Sequence, residues 1–258
     1  MTDTLENTYL ADLVDEERML ALHLIAELAP AGSYRPFGAA SVAVVSGAGT
    51  ATANGIIWSD FEPDDQSLAD AIAAFPHIAA PWGVQVRGRV SEAVREITGR
   101  AGLAVEMTLP TMALPLAEWT PDLRASAPVE RIEPAEADAL ARAIAAGMGG
   151  TLAESAPYAS RALLERPEVL AVGVRTPEGE FASVGLSITA TPSLVGLYAI
   201  TTVPPLRRQG LGLAVTQSLL TAAQANGTAM AYLQSSPTAR SLYAKIGFDT
   251  VEELTYLK

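Results

Sequence analysis

The chain has 258 residues, 29 carboxylates against 17 lysines and arginines, a formal net charge of −12 and no cysteine. Charge of that sign argues against nucleic acid or an anionic membrane as partner, and the lack of thiols excludes disulfides, thiolate metal sites and a cysteine nucleophile. Apolar residues make up 49% of the chain, enough for one sizeable core or two, yet no run approaches the roughly 18 apolar residues of a membrane span. The acidic balance suits a cationic or amine substrate, and equally suits plain solubility. The opening Met1-Thr2-Asp3-Thr4-Leu5-Glu6-Asn7 is acidic and polar, the opposite of a secretory leader. The expected location is the cytoplasm.

Apolar positions at helical spacing predict a helix over 13–28, ended by Pro30-Ala31-Gly32. Residues 39–45 and 50–58 read as strands joined by the glycine-bearing turn 46–49, a hairpin. After the acidic loop 59–66, Ser67 is expected to cap a helix running to Phe75, which Pro76 stops. A strand over 82–88, a helix over 91–99 with Glu92 in its first turn, and a strand over 103–112 complete this half. Residues 117–129 hold two prolines, several polar residues and no clear period. They are expected to form a boundary between domains 1–125 and 129–258.

The second half reads as two helices (136–146 and 154–165), three strands (169–175, 181–190 and 194–203), a helix to Ala225, a strand over 228–234, a helix over 238–245 and a strand over 248–257. Its centre is Arg207-Arg208-Gln209-Gly210-Leu211-Gly212, placed between the third strand with Pro204-Pro205 and the following amphipathic helix. A strand, a glycine-bearing turn and a helix in that order make a phosphate cradle. Glycine lets the backbone approach an anion, and the first-turn amides have no intrahelical partner. A tight strand-to-helix turn also wants glycine, and either arginine is also readable as a solvated charge.

Downstream stand Ala231-Tyr232-Leu233-Gln234, Ser235-Ser236-Pro237 and Ser241-Leu242-Tyr243-Ala244-Lys245-Ile246-Gly247-Phe248. Arg-x-x-Gly-x-Gly followed some thirty residues later by Leu-Tyr-x-x-x-Gly-Phe resembles the acyl-CoA-binding half of the GNAT N-acyltransferase superfamily. The resemblance covers 169–258 and extends to 129–168. It implies an α/β (α+β) fold with a mixed, strongly bent sheet and helices on both faces. It implies acetyl-CoA as co-substrate, with the pyrophosphate on the backbone of Arg208, Gln209, Gly210, Leu211, Gly212 and Leu213, and Arg207 heading the motif. Thr202 and Val203 occupy the stretch where pantetheine pairs with the splayed third strand, and a strand amide there would polarise the thioester carbonyl. Thr201 and Thr202 are also plain strand formers.

Tyr243 falls at the family's general acid, supplying a proton to the departing thiolate; the competing reading is an apolar wall. Ser236 stands where the family often has asparagine, and Ser235-Ser236-Pro237 is equally a helix cap. The base position, six residues before Thr202, is Gly196. Deprotonation then falls to water, Tyr198, Tyr158 or a residue of the first half, with Tyr198 ranked first and a core role open for it. The resemblance implies an N-acetyltransferase acting by direct attack of an amine, small-molecule or peptide, as monomer or homodimer. A non-catalytic acyl-CoA-binding protein, or an O-acyl or longer-acyl transferase, stays open.

The halves register on Gly102-Leu103 and Gly247-Phe248, which places Thr98 opposite Tyr243 and the carboxylate-rich Asp60–Gln66 opposite the glycine loop. Those carboxylates would repel a pyrophosphate. The first half is therefore expected to be a degenerate copy of the same fold, as in tandem GNAT proteins, with an unrelated α/β domain as the alternative. His23 and His77 make no metal pair, Trp58, Trp82 and Trp119 read as core or interface, and Asn226-Gly227 reads as a helix stop.

Overall fold

The computed structural model of the chain describes residues 2–29, 32–37, 41–47, 51–60, 64–75, 78, 80–122 and 127–258, and for 2–7 the backbone only. The first half holds helix α1 (Thr2–Leu28), strands β1 (Ser33–Phe37), β2 (Ser41–Val45) and β3 (Asn54–Trp58), helix α2 (Asp65–Ala74), strand β4 (Gly83–Arg87), helix α3 (Glu92–Arg100) and strand β5 (Glu106–Pro115). The second half opens with β6 (Glu130–Arg131), α4 (Ala137–Met148), α5 (Leu152–Ser155) and α6 (Arg161–Leu164). Then come β7 (Val169–Arg175), β8 (Phe181–Thr191), β9 (Leu194–Thr202), α7 (Leu211–Ala225), β10 (Met230–Gln234), α8 (Arg240–Ile246) and β11 (Asp249–Leu257).

All these strands join one sheet, in the order β1-β2-β3-β4-β11-β5-β10-β9-β8-β7-β6. The halves exchange their last strands. β4 of the first half pairs antiparallel with β11, β10 of the second half pairs antiparallel with β5, and β5 and β11 pair with each other at the centre. Every central ladder is thereby satisfied and no strand edge is left open between the halves. The cores follow the exchange. Leu257 is buried with Val84, Val94 and Leu103 of the first half, whereas Met112 and Leu114 are buried with Leu219, Leu233 and Phe248 of the second. The boundary in the chain is thus not a boundary in the sheet. Past β5, Gln224 Nε2 of α7 donates to the carbonyls of Leu116 (2.6 Å) and Trp119 (3.0 Å), which ties the connecting stretch to the second half.

Helix α1 has 27 residues and is about 40 Å long at 1.5 Å per residue. It packs on β1, β2, β8, β9 and β11, bridging the two halves. Ala11, Val14, Arg18, Ala21 and Ile25 form its buried line, at alternating spacings of three and four. The helix starts well before the expected residue 13, because its first turns are polar and lack the apolar period that marks a helix in the sequence.

The two registered glycines end their helices with the same hydrogen-bond pattern. Gly102 (φ 82°) and Gly247 (φ 113°) both end their helices left-handed. Leu103 N donates to Thr98 O, and Phe248 N to Tyr243 O, each at 3.0 Å. β3 and β4 are parallel, as are β9 and β10.

Several elements differ from expectation for local reasons. β1, unseen in the sequence, contains Pro36 and lies at the sheet's edge, where a missing donor is tolerated. The helix expected over 154–165 breaks at Pro157 and restarts at Ser160, whose side chain caps Leu163 N. The N-cap of α2 is Asp64 rather than Ser67, and Asp64 accepts from the Ser67 amide. Trp58 and Trp119 are core, Trp82 stacks on Phe75 and His23 on Tyr34. Asn226 is the C-cap of α7. His77 and residues 61–63 of the acidic loop lie outside the described residues.

Candidate active site

The opening follows from how β9 leaves its neighbours. It pairs with β10 only from Leu194 to Leu197, opposite Met230 to Leu233. From Tyr198 to Thr202 it stays paired with β8 alone. A bulge accompanies the divergence: Leu186 faces Tyr198 and Val184 faces Thr201, so residues 199 and 200 oppose the single residue Gly185. Ala199 takes φ 51° there, and a Cβ on Gly185 would come within 2.9 Å of Ile200. The extra residue bends the strand. In the first half β3 pairs with β4 up to its last residue, Trp58 opposite Val86, and no such gap forms.

The loop after β9 makes a short 3-10 turn at Pro204–Leu206. Arg208 (φ 64°) and Gly210 (φ 81°) are left-handed, and α7 begins at Leu211 with Gly210 as N-cap and no side-chain cap. A Cβ on Gly210 would meet nothing, so the glycine answers to backbone conformation rather than to space. The first-turn amides of α7 are left uncapped by any side chain, an arrangement that suits an anion.

The two arginines part company. Arg207 Nε donates to Thr202 O (3.1 Å) and Nη2 to Gly147 O (2.6 Å). It is a strut between the end of β9, the loop and the carbonyl end of α4, where a cation is favoured. Arg208 is exposed, and among the described residues its guanidinium makes no hydrogen bond or ion pair. Gln209 is exposed beside it.

At the end of β9 the Val203 amide donates to Ala182 O (2.9 Å) and Thr202 Oγ1 meets Ser183 Oγ (2.9 Å). Both contacts turn toward β8. The Val203 amide is thus turned to β8, and the edge of β9 without a β10 partner spans residues 198–202. Ser236 is exposed, and its carbonyl accepts from Ala239 N and Arg240 N at the approach to α8, so its visible role is in the turn.

Tyr243 lies on the α7 face of the sheet, packed with Leu197, Leu233 and, edge to face, Phe248. Its phenol is pushed up to about 12 by burial, and its hydroxyl makes no hydrogen bond among the described residues. Tyr198 lies on the opposite, α1 face, beside Tyr232 and Val14. The two hydroxyls are 2.7 Å apart.

That pair explains Gly196. Tyr232 is the direct cross-strand neighbour of Gly196. A Cβ on Gly196 would fall 2.6 Å from the Tyr232 oxygen and 2.7 Å from that of Tyr198. Two phenol hydroxyls occupy the place where a side chain at 196 would begin. Burial raises both phenols above the usual tyrosine range, so Tyr198 holds its proton and is a poor base by itself. Tyr158 stacks on Tyr198 at 6.3 Å and is raised for the same reason. Sequence reasoning missed Tyr232 and a buried carboxylate on α1, Glu17. The signal available for Tyr232 was its place one strand over from the glycine.

A bulged, diverging strand, an uncapped glycine loop and the mixed sheet define the architecture of the GNAT acyltransferase fold. Residues 172–257 match the family model described as acetyltransferase (GNAT) domain. A GCN5-related N-acetyltransferase from Kribbella flavida is similar over 93% of this chain and 94% of its own, at 15% identity and TM-score 0.62. A functionally unknown conserved protein from Staphylococcus epidermidis is similar over 90% and 95%, at 9% and 0.63. A GCN5-related N-acetyltransferase from Sphaerobacter thermophilus is similar over 86% and 81%, at 15% and 0.53. At these identities the likeness speaks for the fold, and it spans both halves. No curated protein matches the chain.

Proposed function

We propose that this protein is an acetyl-CoA-dependent N-acetyltransferase in which an amine attacks the thioester directly. The observation that carries the reading is the pairing of the β9 opening with the uncapped start of α7. Strand edge and anion site are adjacent, as an acyl-pantetheine-pyrophosphate ligand requires: a Cβ on Gly212 in the first turn would stand 3.5 Å from Thr202 Oγ1 at the end of β9.

In this reading the amides at 210–213 hold the pyrophosphate, Arg208 adds charge, and Arg207 keeps the loop in place. The pantetheine arm lies along β9 at 198–201. The amine approaches from the α1 face and the sulfur leaves toward the α7 face, where Tyr243 stands. A phenol that ionises near 12 holds its proton at neutral pH and donates it, or a strong hydrogen bond, to the thiolate as the C–S bond breaks.

The filled position at Gly196 favours a second reading, a protein that binds acyl-CoA without turning it over. Tyr243→Phe separates the two. Calorimetry is expected to give an unchanged acetyl-CoA affinity, while CoA release with an accepted amine falls about 100-fold, the low end for general acid–base catalysis. If wild-type protein binds acetyl-CoA and no primary amine in a broad panel releases CoA, the binding-protein reading prevails.

A further inference from the structure

We propose that Glu17 of α1 is the carboxylate that takes up the amine's proton, reached through the hydroxyl pair of Tyr198 and Tyr232. The inference rests on the transferase reading above and gives the first half a part in the chemistry.

Glu17 is 2% exposed. Its Oε1 accepts from the amides of Ala190 (2.7 Å) and Thr191 (3.0 Å) at the end of β8. Its Oε2 is buried and has no hydrogen-bond partner among the described residues. One oxygen is therefore pinned by two donors while the other stays open for a proton, a costly arrangement for a buried group that does nothing else. Val14, three residues earlier on the same helix, packs against Tyr232 and Tyr198, which puts Glu17 on the helix face turned to the pair. The charge of Glu17 acts on both phenols.

Other charged and titratable groups share this part of the α1 face. Asp15 and Arg18 are on the helix itself, joined as an ion pair. Arg18 also donates to Gln85 of β4. Tyr34 of β1, Tyr158, and Glu252 and Tyr256 of β11 interact electrostatically with this group. Asp12, Arg87 and Glu252 form a separate ion-pair chain. Asp15 is already bound to Arg18, and Glu252 has one oxygen on Arg87. Among the described residues Glu17 is bound only to amides, with no cation to surrender when it is protonated.

The proton count closes. A primary ammonium carries three N–H protons. One passes to a hydroxyl of the pair, which releases its own proton to a water between the pair and Glu17, and that water passes one on to Glu17 Oε2, which has no direct bond to either hydroxyl; neither phenol ionises. The neutral nitrogen attacks the thioester carbonyl and the C–N bond forms. As the C–S bond breaks, a second proton reaches sulfur by way of Tyr243, and the third remains on the amide. Glu17 returns its proton to solvent after product leaves.

The test is Glu17→Gln, whose amide oxygen can still accept from Ala190 and Thr191. CoA release is followed from about pH 7 to about pH 10 with acetyl-CoA and spermidine, glucosamine, lysine and phenylethylamine in turn. With any amine that wild-type protein accepts, the variant is expected to lose about 100-fold in kcat/KM near pH 7. The loss should shrink to a few-fold near pH 10, where amines deprotonate unaided. Acetyl-CoA affinity should be unchanged. Tyr232→Phe, which breaks the pair and leaves the Glu17 anchors intact, should show the same pH-dependent loss if Glu17→Gln does not fold. A loss equal at every pH, or none, overturns the role of Glu17 and leaves the transferase reading standing. No CoA release by wild-type protein with any of these amines overturns both.

Discussion

The starts of α2 and α7 fall opposite one another when the halves are registered on Gly102 and Gly247, and they have opposite chemistry. At α2 the N-cap is Asp64, whose carboxylate accepts from the Ser67 amide (3.1 Å) and the Ser67 hydroxyl, with Asp65 in the first turn. Those bonds hold the Asp64 carboxyl below the usual range, so the helix end carries its own anion. At α7 the N-cap is a left-handed glycine with no side-chain cap, and arginines precede it. The strands repeat the contrast: β3 pairs to its end, whereas β9 runs past β10. A helix N-terminus attracts anions whatever its surroundings. Whether it can bind one from solution depends on whether the chain has already supplied a carboxylate.

The largest expected effect comes from giving the second half the first half's chemistry. Gly210→Asp puts a carboxylate and a strained φ at the cradle. A like charge about 4 Å from a phosphate costs about 4 kcal/mol at an effective dielectric near 20. Acetyl-CoA affinity by calorimetry should fall about 10²–10³-fold, and a fall under threefold would show that the cradle is elsewhere.

A smaller effect distinguishes Tyr243 from its counterpart Thr98, whose hydroxyl is bonded to Val94 O. An unfolded tyrosine ionises near 10, and the buried Tyr243 near 12. Below about pH 10 both states keep the proton. Above it the unfolded state loses the proton first, so stability falls as pH rises toward 12. Denaturant unfolding should show wild-type protein losing roughly 2 kcal/mol more than Tyr243→Phe between about pH 10 and 12. Parallel curves would mean that the phenol is not buried in solution.

The smallest effect is the converse graft. Asp64→Gly frees the α2 amides, but without the gap beside β3 it should create no second cofactor site. Titration should still end at one acetyl-CoA per chain. A second binding event would mean that the cap alone disarms the first half.

Much of this was legible in the sequence because it is local. Gly210, the amphipathic run after it and the Gly-Phe ending of α8 announce themselves, and the register of Gly102 on Gly247 locates a helix ending of the same form in each half. Other features depend on partners far along the chain. Arg207 reads as a cradle arginine until Gly147, sixty residues away, is found accepting its hydrogen bond. Gly196 reads as a deletion until Tyr232 is seen filling its space. The exchange of β5 and β11 leaves no local trace, since each strand has the same pattern whichever half it joins. Pro36 in β1 and Pro157 misled for the usual reason, that proline is judged without knowing which strand lies at an edge or where a helix restarts.

The exchanged strands also set an order of events at synthesis. Arg87 in β4 leaves the ribosome long before its antiparallel partner Leu254 exists. Until β11 emerges, the first half has an open flank and lacks Leu257 from its core. It cannot finish folding as an independent unit ahead of the second half, as domains in series usually do. Pairings of such long sequence separation are slow to form. Loss of the closing residues of β11 should therefore unsettle the half that was made first as well as the second half.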